Sequence, residues 1–482
     1  MNLSEYSSFD GLGLAALVRG KEVEPLELTR LAAEAAALLN PTLNAVVDLY
    51  PDRVSALHEA IDLTGPFAGV PFLLKDIGAT EKNRPQSSGS RLGTGYAADR
   101  DSFLTRCFVQ AGFNIFGRTN LPEFAQAATT ENRHFGDTRN PWDLQRSSGG
   151  SSGGAGAAVA AGIVPVAHGT DTGGSIRIPA ACCGLVGLKP SRGRVSKGPQ
   201  LDETLYGGLN TEFVLTRTVR DAAAVLDSVS GPATGDPFSL PTTDVTFTEA
   251  RHAQVSRLRC ALQTDSPFAV IAPEVAAAAE RVAGELEAQG HAVEAASPAV
   301  DADGWAAAER TIWIQSTAWE VQRLSRATGN PINDEYLEPL SLAAYTLAQE
   351  MMANDWFVAK GHCNAICRSI GSFFETYDIL ITPTVASVAP ALGEIAGSGM
   401  DDYDTFISRT GEFSPFTSLF NITGQPAITL PLAESAQGMP IGVQFVSRFG
   451  NERLLLQLAT QLEQAATWKD RRPPVHAGRP RG

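Results

Sequence analysis

Gly149-Gly150-Ser151-Ser152-Gly153-Gly154 and, after an intervening run of small residues, Gly169-Thr170-Asp171-Thr172-Gly173-Gly174-Ser175-Ile176-Arg177-Ile178-Pro179 form the most informative stretch of this 482-residue chain. Between Gly149 and Gly174 lie nine of the 45 glycines, and they frame two serines, Ser151 and Ser175. Glycine lets a turn adopt unusual dihedrals and lets another backbone or a substrate approach closely. The residues after each turn read as helix, so each serine sits near a helix N-terminus, where unpaired N–H groups can hold developing negative charge. Serines so placed suit acyl transfer.

The same stretch admits three other readings. A Gly-rich loop can serve close helix packing alone, but two such turns 24 residues apart are hard to account for that way. A phosphate-binding P-loop needs Lys-Ser/Thr after its glycines, and Gly154 is followed by Ala155. Gly149 to Gly153 also fits the G-x-S-x-G nucleophile elbow, which requires a strand directly before it and a later Asp and His. The residues Trp142 to Ser148 do not read as a strand, and His252, His291, His362 and His476 stand in no suggestive setting. The base must then be sought elsewhere.

Lysine is scarce, with seven in the chain, and Lys75 ends the apolar run Gly69-Val70-Pro71-Phe72-Leu73-Leu74. Burial there lowers a lysine's proton affinity toward the range where the neutral amine accepts a proton. The competing reading is a salt bridge from Lys75 to Asp76 or Asp171. Lys189, placed before Pro190 in an expected loop, is the rival lysine and reads as structural.

Around this centre the periodicity predicts helices at 24–39 (closed by Asn40-Pro41), 103–113, 221–229, 273–290, 304–328 and 340–376. Short buried strands are predicted at 69–74, 114–117, 258–262, 379–381 and 427–430. Interleaved strands and helices without a convincing linker predict one large α/β domain, ending in an Arg/Pro-rich tail, 469–482, expected to fray. The chain has 38 Lys+Arg against 53 Asp+Glu, a net charge of −15, 43% hydrophobic residues and a mean hydropathy of −0.06. That balance points away from nucleic acid and membrane and toward a small-molecule partner for a soluble protein. Six scattered cysteines without paired spacing predict reduced thiols in the cytoplasm. His362, Cys363 and Cys367 could begin a metal site, but no second ligand cluster accompanies them, so neither metal nor cofactor is expected.

Taken with the two serine turns, Gly69 to Asp76 resembles the amidase signature family. The similarity extends to Asn40–Ala45, Gly187–Pro190, Thr382–Thr384, Asn421–Pro426 and Gly438–Gln444. The resemblance implies an α/β fold with a central mixed sheet covered by helices on both faces. It implies one amidase-signature domain over 1–468, with a catalytic core about 65–230 and a helical insertion about 265–376. It further implies a Ser-cisSer-Lys triad, with Ser175 as nucleophile, Ser151 as bridging serine on a cis peptide and Lys75 as base. Backbone N–H groups of Thr172, Gly173, Gly174 and Ser175 would form the oxyanion hole, with Ser152, Asp171 and Arg177 supporting the loop, and a homodimer is a reasonable expectation. Two of the family's branches differ in what they would require of this chain. The glutamine-hydrolysing amidotransferase subunits use an Asp and an Arg to hold glutamine, but those positions fall near Ser414 and near Glu338 or Pro339 here. Phe67 to Lys75 and Arg139 to Trp142 are instead similar to the nylon-oligomer hydrolase branch. This favours apolar or linear carboxamides, aryl amides or carbamates, over an amidotransferase subunit or a non-catalytic binding module. Trp305, Trp313, Trp319, Phe413 and Phe416 are candidates for either an apolar pocket or the core.

Overall fold

The computed structural model describes residues 1–199, 201, 205–241, 244–395, 399–466 and 468–479. Its centre is an eleven-stranded mixed sheet. In spatial order the strands are Val46–Leu49, Phe113–Thr119, Val70–Lys75, Val166–Asp171, Thr211–Thr216, Val186–Lys189, Ala427–Glu434, Pro440–Ser447, Ile379–Pro383, Arg259–Leu262 and Ala292–Ala295. Val70–Lys75 runs parallel to both Phe113–Thr119 and Val166–Asp171, while the strands from Val166–Asp171 through Pro440–Ser447 pair antiparallel. All residues of Val70–Lys75, Val166–Asp171 and Thr211–Thr216 are buried, so both pleat faces are covered; Val70 to Leu74 reads in sequence as a continuous apolar run, whereas the other two strands bury polar residues such as His168, Asp171 and Glu212. Sixteen α-helices among the described residues provide that cover.

The parallel neighbours matter most for function. Lys75 is the last residue of one strand and Asp171 the last of the adjacent parallel strand, so both arrive at the carboxyl edge of the sheet, where open α/β sheets bind ligands. The helix Gly153–Ala160 follows the first serine turn and Arg177–Cys183 the second.

Several local expectations need correction. The first long helix continues through Pro41 to Leu43 and closes on Asn44, whose left-handed conformation and N–H bond to the Asn40 carbonyl form the cap. The segment 340–376 is two helices, Pro339–Glu350 and Ala353–Thr376, split where Met351 and Met352 turn extended and the Asp355 carboxylate takes the Met352 N–H. A strand does precede the first serine turn: Asp143–Ser147 pairs with Arg139–Asn140 in a hairpin apart from the main sheet. Lys189 ends a central strand rather than lying in a loop. The tail does not fray over 468–479: His476 and Ala477 are buried, and the Val475 and Ala477 N–H groups donate to the carbonyls of Pro141 and Ala161. No helix among the described residues is long and apolar enough to cross a membrane.

Candidate active site

Lys75 is completely buried, and its Nζ lies within hydrogen-bond distance of three hydroxyls: Ser151 Oγ at 2.7 Å, Thr170 Oγ1 at 2.9 Å and Ser152 Oγ at 3.0 Å. Neither suspected carboxylate pairs with it. Asp76 instead accepts from the Ser87 and Gly89 N–H groups and the Ser87 hydroxyl, and Asp171 is taken by Arg177. Burial drives Lys75 well below the ordinary lysine value, against the opposing pull of the Asp171 and Glu212 charges. With no counter-ion beside it, the buried amine is held best neutral, giving two N–H bonds and accepting from one of the three hydroxyls through its lone pair.

The backbone N–H of Lys75 donates to His168 Nδ1 at 3.2 Å, and His168 Nε2 lies 3.1 Å from Glu212 Oε2. Those partners assign the ring proton to Nε2, and burial depresses the imidazole below its usual value, so His168 is a neutral strut beneath the lysine. Lys189, the rival, spends its ammonium on the Pro190 carbonyl at 2.8 Å; burial draws its pKa down to about 7, but it touches neither serine.

The Gly150–Ser151 peptide is cis. Gly150 is enclosed on all sides: a Cβ there would lie 2.5 Å from the Ala127 and Thr129 carbonyl oxygens, which is why no other residue fits at this point of the turn. Ser152 joins the two turns, since its N–H donates to the Ser175 carbonyl and its hydroxyl to the Thr170 carbonyl. No hydrogen bond links the Ser151 and Ser175 hydroxyls directly.

Asp171 and Arg177 shape the second turn. The Asp171 carboxylate accepts from the N–H groups of Gly174, Ile176 and Arg177 and from the guanidinium at 2.8 and 3.0 Å. Burial alone would raise this carboxyl; Arg177 more than reverses that and, with Lys189 and Asn421, brings it to about 2. Arg177 also donates to the Thr417 carbonyl, Gln444 Oε1 and Asn421 Oδ1, latching the turn to the distant C-terminal part of the chain. The Gly174 N–H, expected in the oxyanion hole, is thus occupied by Asp171. The N–H groups of Thr172, Gly173 and Ser175 make no hydrogen bond among the described residues and remain available to an oxyanion.

Ser175 opens onto a cavity of about 180 Å³ whose walls include Gly173, Ile178, Phe268, Trp305, Glu309, Trp313 and Phe406. Of the aromatic candidates, Trp305 and Trp313 line it; Phe413 and Phe416 are core residues, and Trp319 is 38% exposed away from it. Ser414, at the position compared with an amidotransferase Asp, lines the cavity as well. Glu338 lies elsewhere, buried against Glu123 and the Arg133 N–H. Among the described residues no group of three His, Cys, Asp or Glu stands at metal-ligating distance, and Cys367 of the suspected cluster turns to the Ile422 carbonyl. Sequence reasoning missed Thr170, His168, Glu212 and Glu309. Thr170 was within reach, because it precedes Asp171 on the strand beside Lys75.

This fold, with a buried amine set among hydroxyls at the sheet's carboxyl edge and a serine at a cavity mouth, defines an amidohydrolase that cleaves carbon–nitrogen bonds. The comparisons with known proteins agree. The chain belongs to the Amidase family, whose model matches residues 27–456. It is 40% identical over 97% of its length to a 6-aminohexanoate-cyclic-dimer hydrolase of Paenarthrobacter ureafaciens, covering 96% of that protein. Among solved structures it is similar to a substrate complex of a 6-aminohexanoate cyclic dimer hydrolase, at a TM-score of 0.90 and 36% identity over 97% of this chain and 99% of that one. A bacterial aryl acylamidase of the amidase signature family gives a TM-score of 0.86 at 26% identity, over 98% of this chain and 99% of that one.

Proposed function

We propose that the chain hydrolyses apolar or linear carboxamides, nylon-type oligomers and aryl amides foremost, through an acyl-enzyme on Ser175. The observation that carries this reading is the Lys75 amine, buried, without a counter-ion and 2.7 Å from Ser151. Neutral Lys75 accepts the Ser151 proton as Ser151 accepts the Ser175 proton. The Ser175 oxygen then bonds to the amide carbon, and the carbonyl electron pair moves to oxygen, where the N–H groups of Thr172, Gly173 and Ser175 receive it. Collapse breaks the C–N bond, and the proton returns through Ser151 to the departing amine. Water enters by the reverse route, giving the carboxylic acid and free Ser175. Closing this relay requires a rotation of the Ser175 or Ser151 hydroxyl, which substrate in the cavity would bring about.

The amidotransferase reading fares worse, because the cavity lining offers one ionisable side chain, Glu309, and no cation for the carboxylate of glutamine. A fluorophosphonate followed by intact mass tests the chemistry. A single adduct on the wild type and none on Ser175→Ala is the expected result. An unmodified wild type removes the serine-hydrolase reading, and an adduct persisting in Ser175→Ala removes the nucleophile assignment. A screen of amides, esters and carbamates then fixes the substrate class.

A further inference from the structure

The cavity over Ser175 has one ionisable side chain among its lining residues. Glu309, on the helix Ala302–Thr328, turns its carboxyl inward; an atom built as a Cβ on Gly173 would lie 3.8 Å from its Oε1. The carboxyl therefore overhangs the turn that carries Ser175. Its Oε2 accepts from Ser418 Oγ at 2.9 Å and Trp305 Nε1 at 3.1 Å, and the Trp313 indole also reaches the group. These donors favour and orient the ionised form. None of them neutralises it. The adjacent Arg310 faces away and pairs with Asp404 at 2.7 Å, and no described lysine or arginine forms an ion pair with Glu309. Burial raises this carboxyl above its usual range even against three donors, which marks a charge short of a partner. Core packing does not call for a carboxylate here, since Phe268, Trp305 and Trp313 already supply apolar contact around it.

We propose that Glu309 is a specificity-determining residue that docks a protonated primary amine of the substrate, so that the enzyme favours amides bearing an ammonium group over neutral or cyclic amides of equal size. The inference rests on the amidohydrolase reading of Ser175. Under it, Trp305 and Ser418 are positioning residues that fix the carboxylate, and the aromatic walls of Trp305 and Trp313 add cation–π attraction for the same ammonium. Where the ammonium is on the acyl side, the acid produced carries it together with a new carboxylate, which the Glu309 charge repels, favouring release.

Protection of Ser175 against a fluorophosphonate tests this without presupposing a substrate. The competitors are 6-aminohexanamide, 4-aminobutanamide and N-(4-aminobutyl)acetamide, each paired with its methyl-ended isostere, so that the amine is offered on either side of the amide. The wild type is expected to be protected by at least one amine at a concentration about ten-fold or more below its isostere, the size of one charge-assisted hydrogen bond. Glu309→Gln should bring that ratio to near one, and Glu309→Asp should restore part of it. Equal protection by amine and isostere in the wild type overturns the inference, as does a preference that survives Glu309→Gln in a chain whose circular dichroism matches the wild type. Absence of any adduct on the wild type overturns instead the hydrolase reading beneath it.

Discussion

Replacing Arg177 by Met removes five donors from a fully buried site and leaves the Asp171 carboxylate with backbone N–H groups and Asn421 as its remaining partners. It also strips the Thr417 carbonyl, Gln444 Oε1 and Asn421 Oδ1 of a donor. Asp171 moves from 3.8 to about 2 on folding, so roughly 2 kcal/mol of stability is tied to its ionised form and to the partners that hold it. Breaking one side of a buried pair costs about 3–5 kcal/mol. Urea denaturation at pH 7 should therefore show Arg177→Met destabilised by about that amount, and the double variant Asp171→Asn/Arg177→Met should recover about 1–3 kcal/mol of it. The sign with pH follows from a depressed carboxyl: its contribution is complete above about pH 4 and is lost as pH falls through about 2, so the margin of wild type over Asp171→Asn should narrow from pH 5 to pH 2. Asp171 also holds the Gly174 and Ile176 N–H groups on either side of Ser175. Fluorophosphonate labelling should accordingly slow about 10²-fold in Arg177→Met, the cost typical of a displaced reacting group. A loss below about 1 kcal/mol, or labelling at the wild-type rate, would refute the latch.

Lys75→Met should lower the rate about 10²- to 10⁴-fold, yet melt at a higher temperature than the wild type at pH 7. Burial depresses the folded lysine while the unfolded one titrates near its ordinary value of about 10.4, so the wild type's penalty is greatest on the acid side and vanishes above that pH; a thermal-stability margin that widens toward pH 10 would count against this. The same depression predicts that the acid limb of kcat/KM lies well below the ordinary lysine value, whereas a lysine that stays charged would leave kcat/KM climbing up to about pH 10. Thr170→Val keeps the shape and removes one acceptor from Lys75, for which about 1 kcal/mol and about a ten-fold slower labelling are expected; an unchanged rate would show that Ser151 and Ser152 suffice. Gly154→Ala forces a Cβ to 2.4 Å from the Asn120 nitrogen and should cost about 3 kcal/mol, whereas Gly361→Ala, in open space on the helix Ala353–Thr376, should gain up to about 1 kcal/mol by denaturant titration.

What could be read from the chain was what local chemistry encodes. A lysine closing the run Val70 to Leu74 announces its own burial, and glycines around Ser151 and Ser175 announce close-packed turns, in which Gly150, Gly153, Gly154 and Gly174 leave no room for a Cβ. The strand and helix pattern around them follows from periodicity. Features that depend on register or on distant residues were not legible. His168 meets Glu212 because the strands Val166–Asp171 and Thr211–Thr216 pair antiparallel, which no local pattern states. That a carboxylate takes the Gly174 N–H depends on where Asp171 points. Pro41 looked like a terminator, but Asn44 closes the helix, and the break at Met351 lies in apolar residues that carry no breaker signal. The docked tail escaped notice because its Arg- and Pro-rich composition conceals the burial of His476 and Ala477.

The latch on Arg177 also bears on how the enzyme comes into being during synthesis. A ribosome that has released residues 1–416 has made Lys75, Ser151 and Ser175, but none of the acceptors at Thr417, Asn421 and Gln444, which lie 240 to 267 residues downstream of Arg177. Contacts of such span form late, after the chain has met the entropy of closing a long loop. The nascent chain therefore carries an unfinished Ser175 turn until the strands Ala427–Glu434 and Pro440–Ser447 join the sheet.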